Sequence, residues 1–273
     1  MAERDCCWLA GNFNYLSSSL FLLMKKRCFL LLSVVTSYYA VAQQDAQKIK
    51  QKYLQFAVGL AHYRLIDEEF TYRKLPFKAT LPKFQLAFIK ETSRSIFNAS
   101  IEGSTGNARS KQGSLHADIN YGQVAFSYSR LVKDNEFAGL KSRLYAGAAL
   151  SSVVHTLQNN HEVDNRSVIL VHGLYLNVLQ RIQVSTSNSV DFILLLPAIT
   201  VSNNLSVPEM NVVTKTSFFN LLAPLRIKVH YVNTLSPRTQ LNVKYQFYYI
   251  RNPSGKPMRL YSNEIMAGFT FNL

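Results

Sequence analysis

Leu241-Asn242-Val243-Lys244-Tyr245-Gln246-Phe247-Tyr248-Tyr249 carries an apolar or aromatic side chain at each odd position, and polar groups or a tyrosine between them. Successive side chains of a β-strand point to opposite faces, so this stretch presents one apolar and one polar face. The preceding segment repeats the pattern, with Leu225, Ile227, Val229 and Tyr231 alternating with Arg226, Lys228 and His230. Three cationizable groups then share one face of one strand, a face that cannot meet lipid. With Lys244 on the next strand they form a basic stripe of Arg226, Lys228, His230 and Lys244. Near the other end Leu54, Phe56, Val58 and Leu60 alternate with Gln55, Ala57, Gly59 and Ala61, and small inner residues suit a narrow barrel.

The same test along the chain predicts ten strands: 53–65, 83–91, 94–104, 114–131, 141–154, 167–182, 190–200, 221–232, 239–250 and 261–273. The fourth changes parity between Tyr121 and Val124, which implies a bulge at Gly122-Gln123. Long connections (66–82, 105–113, 155–166, 201–220, 251–260) alternate with shorter ones (92–93, 132–140, 183–189, 233–238), as in barrels with short turns at one rim and long loops at the other. Beyond Ala42 no apolar run reaches the ~18 residues of a membrane helix. The expected fold is all-β, an antiparallel up-and-down transmembrane β-barrel of about ten strands, with eight to twelve admissible. Tyr53, Tyr63, Tyr231 and Tyr249 are expected near the two interfaces, where amphipathic rings are favoured.

The last strand places Ile265, Ala267, Phe269, Phe271 and Leu273 on one face. In this it resembles the C-terminal insertion signal of Gram-negative outer-membrane β-barrel proteins, and departs from it where Leu273 stands in place of the usual terminal Phe. The resemblance implies recognition by the barrel-assembly machinery, with Phe269, Phe271 and Leu273 as the readout. The edge strand of a soluble sandwich is the other reading of the same residues.

At the N-terminus Lys25, Lys26 and Arg27 precede an apolar run from Phe29 to Val35, followed by Ala40-Val41-Ala42. That order of charge, apolar run and small residues predicts a signal peptide over 24–42, with Ala40 and Ala42 forming the cleavage site and cleavage after Ala42. Residues 1–42 are therefore expected to be an extension plus leader, and 43–273 the barrel. The alternative, an uncleaved anchor of two apolar stretches, would hold the cationic cluster at 25–27 in lipid, where charge is costly. Cleavage removes Cys6, Cys7 and Cys28, all the cysteines present, so disulfides, thiolate metal ligands and a Cys nucleophile are not expected.

Arg4, Lys25, Lys26 and Arg27 leave with the leader against Glu3 and Asp5, so the net charge falls from +14 to about +12. For an exported chain this surplus points to outer-membrane lipids, lipopolysaccharide phosphates or small anionic solutes rather than to nucleic acid.

Signals for chemistry are sparse. Ser114 and His116, two apart on one strand face, are the best nucleophile and base pair, with no third orienting group; an ordinary rim pair is the alternative. His62 is the other histidine near an outer rim. His155 and His161 lie six apart with Glu162 and Asp164 nearby, without a known metal spacing. No Gly-x-Gly-x-x-Gly or phosphate-loop fingerprint occurs, so no cofactor is expected. The basic stripe admits two readings: a focused anion path, or a lumen plug of salt bridges with partners such as Asp118 and Glu264. Three functions follow: a structural or surface-binding barrel, a narrow porin-like channel for small anions, and an outer-membrane lipid-modifying enzyme.

Overall fold

A computed structural model describes residues 51–67, 76–110, 116–159, 166–207, 211–218, 225–252 and 258–273. The leader with Ala40 and Ala42, together with Ser114, His161, Glu162 and Asp164, lies outside these residues.

The strands are β1 (Gln51–Asp67), β2 (Pro76–Glu91), β3 (Ser95–Ser110), β4 (His116–Phe137), β5 (Leu140–Asn159), β6 (Arg166–Gln183), β7 (Asn188–Val207), β8 (Asn211–Phe218), β9 (Leu225–Ser236), β10 (Thr239–Asn252) and β11 (Met258–Asn272). Except for β8 and β9, neighbours in sequence pair antiparallel, and β1 pairs with both β2 and β11, so the sheet closes on itself. β7 pairs with β9 along Asn188–Leu195 and with β8 along Ile199–Ser206, so these two short strands share one place in the wall. The molecule is an up-and-down transmembrane β-barrel with ten wall positions.

Following pairings once around, from Gln51 through Glu91, Ile96, Ser129, Gly147, Asn177, Leu195, Arg226, Tyr248 and Ser262, the path returns to β1 at Tyr63. The stagger is thus 63 − 51 = 12 residues. A closed sheet with such a stagger must tilt its strands, typically by ~35–45°. Short turns at 92–94, 138–139, 184–187 and 237–238 all lie at the end where β1 begins, called the inner end here.

Outward-facing Leu54, Phe56, Val58 and Leu60 on β1, and Val243 and Tyr245 on β10, are exposed, whereas Gln55, Ala57, Ala61, Asn242 and Gln246 are buried inside. This inverts the soluble pattern, and the exposed apolar band recurs on every wall strand from Phe84 to Phe271. Exposed apolar patches of that extent are what a lipid-facing wall requires.

Several expected boundaries and facings are corrected. β2 starts at Pro76 rather than 83, because its outer half turns Phe77, Ala79 and Leu81 inward and Lys78 and Thr80 outward, reversing the expected polarity. No bulge occurs at Gly122-Gln123: Gly103 pairs Gly122 and Glu102 pairs Gln123 without interruption, and Tyr121 points inward. The irregularity of β4 lies at Leu131/Lys133. A second one sits in β7, where Tyr175 opposes Pro197 and Leu174 opposes Ile199, leaving Ala198 as the extra residue. Proline has no N–H for the ladder and is accommodated at such a bulge. The expected loop 201–220 contains β8, and the strand expected at 221 begins at Leu225. Tyr231 and Tyr249 face outward, but Tyr63 is fully buried inside and Tyr53 lines the lumen.

The expected connection 132–140 is a two-residue hairpin turn between paired Phe137 and Leu140. Ala138 at φ 52° and Gly139 at φ 78° occupy the left-handed region that such turns demand. Alanine pays ~1–2 kcal/mol there, a cost that Asn largely avoids. Ala138→Asn is therefore expected to raise stability by ~0.5–1 kcal/mol. Guanidinium titration of the refolded protein in detergent checks it; a loss of stability would mean that the turn is not of this type.

Candidate functional site in the lumen

Arg226, Lys228, His230 and Lys244 all face the lumen, carried there by the period of β9 and β10; Lys244 pairs across with His230, and Lys228 with Gln246. What surrounds them was only partly expected. Lys83 of β2 is fully buried between Glu102 of β3, at 2.8 Å, and Glu264 of β11. Glu102 also lies 3.6 Å from Lys228 and accepts a hydrogen bond from Gln85 at 2.7 Å. Ser262 donates to Glu264 at 2.9 Å. The result is a chain of alternating charge, Glu264, Lys83, Glu102, Lys228, that crosses from β11 to β9 through the middle of the barrel. Lys244 donates to the side-chain oxygens of Gln55 and Gln85.

Nearer the inner end Arg181 of β6 reaches Glu91 of β2 at 2.6 Å and holds Asp191 of β7 through two bonds at 2.8 and 3.0 Å. His230 lies 4.0 Å from the same carboxylate. Two-point guanidinium contacts fix orientation as well as charge. Between these groups and the inner rim is a cavity of about 280 Å³ lined by Tyr53, Arg143, Arg181, Asp191, Lys228 and Lys244, among others.

Outward of the charge chain the lumen turns aromatic. Tyr121 packs 4.8 Å from the ring of His155 and 6.2 Å from Tyr63, ring centre to ring centre. The Arg226 guanidinium, 0% exposed, lies 4.6 Å over Tyr248 and 5.5 Å over Tyr175. Stacking on ring faces suits a planar, weakly hydrated cation. Beyond them Leu65, Phe77, Leu81, Ile119, Leu157, Ile169 and Leu260 continue an apolar core to the outer end.

Of the salt-bridge partners expected from sequence, Glu264 is in the network, whereas Asp118 faces outward near the outer rim of β4. His155, expected in a loop, lies in the wall of β5 and points inward. His62 faces outward beside Thr80, 3.0 Å away. Among the described residues no three His, Cys, Asp or Glu side chains are grouped to hold a metal. Lys83 and Glu102 were missed, although their inward parity was readable once β2 and β3 were in register. Phe269 and Phe271 point outward, each 45% exposed, and Leu273 follows them at the inner end.

A closed antiparallel barrel with an apolar outer band and a polar and aromatic lumen has the architecture of outer-membrane barrels. No family model and no characterised protein sequence matches the chain. Among solved structures it is similar to the outer membrane protease OmpT from Escherichia coli, with a TM-score of 0.55 and 8% identity over 82% of this chain and 97% of that one. Looser likenesses include Neisserial surface protein A, with a TM-score of 0.36 and 12% identity over 81% and 96% of the two chains. The attachment invasion locus protein Ail of Yersinia pestis aligns with a TM-score of 0.35 and 10% identity over 81% and 99%. At such identities the first likeness concerns the fold alone.

Proposed function

We propose that the chain resides in an outer membrane as a barrel whose lumen is closed by its own side chains, and that it acts through its outer surface rather than as a pore. The observation that carries this reading is the meeting of opposite walls. Arg181 of β6 touches Glu91 of β2 at 2.6 Å, Lys228 of β9 lies 3.6 Å from Glu102 of β3, and Tyr63 of β1 packs on Tyr121 of β4. Contacts at three levels, through buried Glu102, Tyr63 and Tyr121 and partly buried Arg181, Glu91 and Lys228, support a lumen plugged by its own side chains, as in small barrels. The outward apolar band supports the membrane reading, and the similarity of fold to outer-membrane barrels points to the same compartment.

The basic stripe takes a structural role in this reading, since each member is held inside the lumen: Lys228 by Glu102 at 3.6 Å, His230 beside Asp191 at 4.0 Å, Lys244 by the Gln55 and Gln85 amides, and Arg226 over the rings of Tyr248 and Tyr175. Planar-bilayer recording tests it. The refolded protein is expected to give no steady conductance with chloride, phosphate or acetate as the anion. A stable anion-selective current would instead favour the narrow-channel reading, with the cavity beside Lys228 and Lys244 as its inner vestibule.

A further inference from the structure

The outer wall carries a second basic feature, distinct from the lumen stripe. Arg64 on β1, Lys78 on β2 and Arg109 on β3 are directly paired across strands, Arg64 with Lys78 and Lys78 with Arg109. All three are exposed and outward-facing, and Arg259 extends the arc on β11, two pairs outward of Arg64. Neighbouring strands are ~4.8 Å apart, so cationic groups are offered at a spacing that one or two phosphates can bridge. Asp118 is the one carboxylate on the outward face of β1–β4 near this level among the described residues, and it has a partner of its own.

The groups between this arc and the apolar band are ordered by depth. On β3 the outward residues run Ile101, Gly103, Thr105, Asn107 and then, at the rim, Arg109. Thr105 donates to Asn120 at 2.5 Å, and Asn120 to Thr156 at 3.1 Å, a hydrogen-bonded row on the outside of the wall. Below that row Gly103 and Gly122 face each other across β3 and β4, and the Phe84 ring lies on Gly103, 2.3 Å from where a Cβ would stand. A depression of about 520 Å³ results, lined by Phe84, Ile101, Gly122, Val124, Val154 and Leu170. Cations, then hydroxyl and amide groups, then an apolar trough reproduce the order of phosphate, sugar and acyl chain.

We infer that the outer wall over β1–β5 is a binding site for a phosphorylated glycolipid of the outer leaflet: Arg64, Lys78 and Arg109 bind its phosphates, and the trough at Gly122 seats an acyl chain. The inference rests on the outer-membrane reading above. Two independent features agree on one occupant, since a soluble anion would leave the trough empty and a neutral lipid would leave the arc unpaired.

The test uses refolded protein in neutral detergent, with bisphosphorylated lipid A and the same lipid stripped of phosphate as probes, and native mass spectrometry as readout. Wild type is expected to retain the phosphorylated lipid and not the stripped one. Lys78→Ala with Arg109→Ala should weaken retention ~10- to 30-fold. Lys52→Ala with Lys90→Ala removes equal charge from the inner rim and should change nothing. Gly122→Leu, which fills the trough from outside, should weaken the fully acylated lipid while sparing its deacylated, phosphorylated core. Equal losses in the two double variants, equal retention of the stripped lipid, or a second copy of the chain on this wall in place of lipid would each overturn the inference. A conducting barrel that still binds the lipid would sink the closed-lumen reading alone, and a silent barrel that does not bind it would sink this one alone.

Discussion

Lys83→Met is expected to cost ~3–5 kcal/mol of stability, because it leaves Glu102 and Glu264 facing one another in the lumen without their shared cation. Lys83 is fully buried, and so are both carboxylates, so neither charge can turn to water when its partner is removed. Lys228, 3.6 Å from Glu102, would meet part of the charge, whereas among the described residues Glu264 is bonded to Lys83 and the Ser262 hydroxyl. The triple variant Lys83→Met, Glu102→Gln, Glu264→Gln is expected to recover most of the loss, since replacing a whole buried ion set is often close to neutral whereas breaking one is not. Guanidinium titration in lipid vesicles measures both. A single variant as stable as wild type would mean that water reaches this level of the lumen, and the closed-lumen reading would fall with it.

Val243→Arg and Lys244→Ala test the wall from its two sides at one depth. Val243 is outward and exposed, Lys244 inward and bonded to Gln55 and Gln85. An arginine on the lipid face near the midplane costs ~2–4 kcal/mol in barrels. Lys244→Ala removes a cation held by two neutral amides, which keep each other and water as alternatives, so a loss of ~1 kcal/mol or less is expected. Because the two positions are adjacent in β10, strand propensity and depth largely cancel and facing is what differs. If Lys244→Ala unfolded the barrel while Val243→Arg were neutral, the register of β10 would be displaced by one residue, and every assignment in it would reverse.

The sequence by itself determined which strands exist along most of the wall and which side of each meets lipid, as in Leu54 to Ala61 and Leu241 to Tyr249. The reason is local: a strand turns its side chains with a period of two, and lipid demands an apolar group at every second position, so facing is written in neighbouring residues. The same rule failed where the lumen is apolar too. Phe77, Ala79 and Leu81 point inward, which hid the outer half of β2, and Tyr121 pointing inward imitated a bulge in β4. Asp118 and His155 were misplaced for the same reason, since near the outer rim the inside is greasy and the outside polar. Only the tertiary structure decided which inward groups meet. Lys83 and Glu264 are 181 residues apart, and Arg181 finds Glu91 from 90 residues away. Those contacts depend on closure and on the 12-residue stagger, which sets the height of each strand against the ones opposite. Stagger is the sum of all the pairings around the ring, so no single segment contains it.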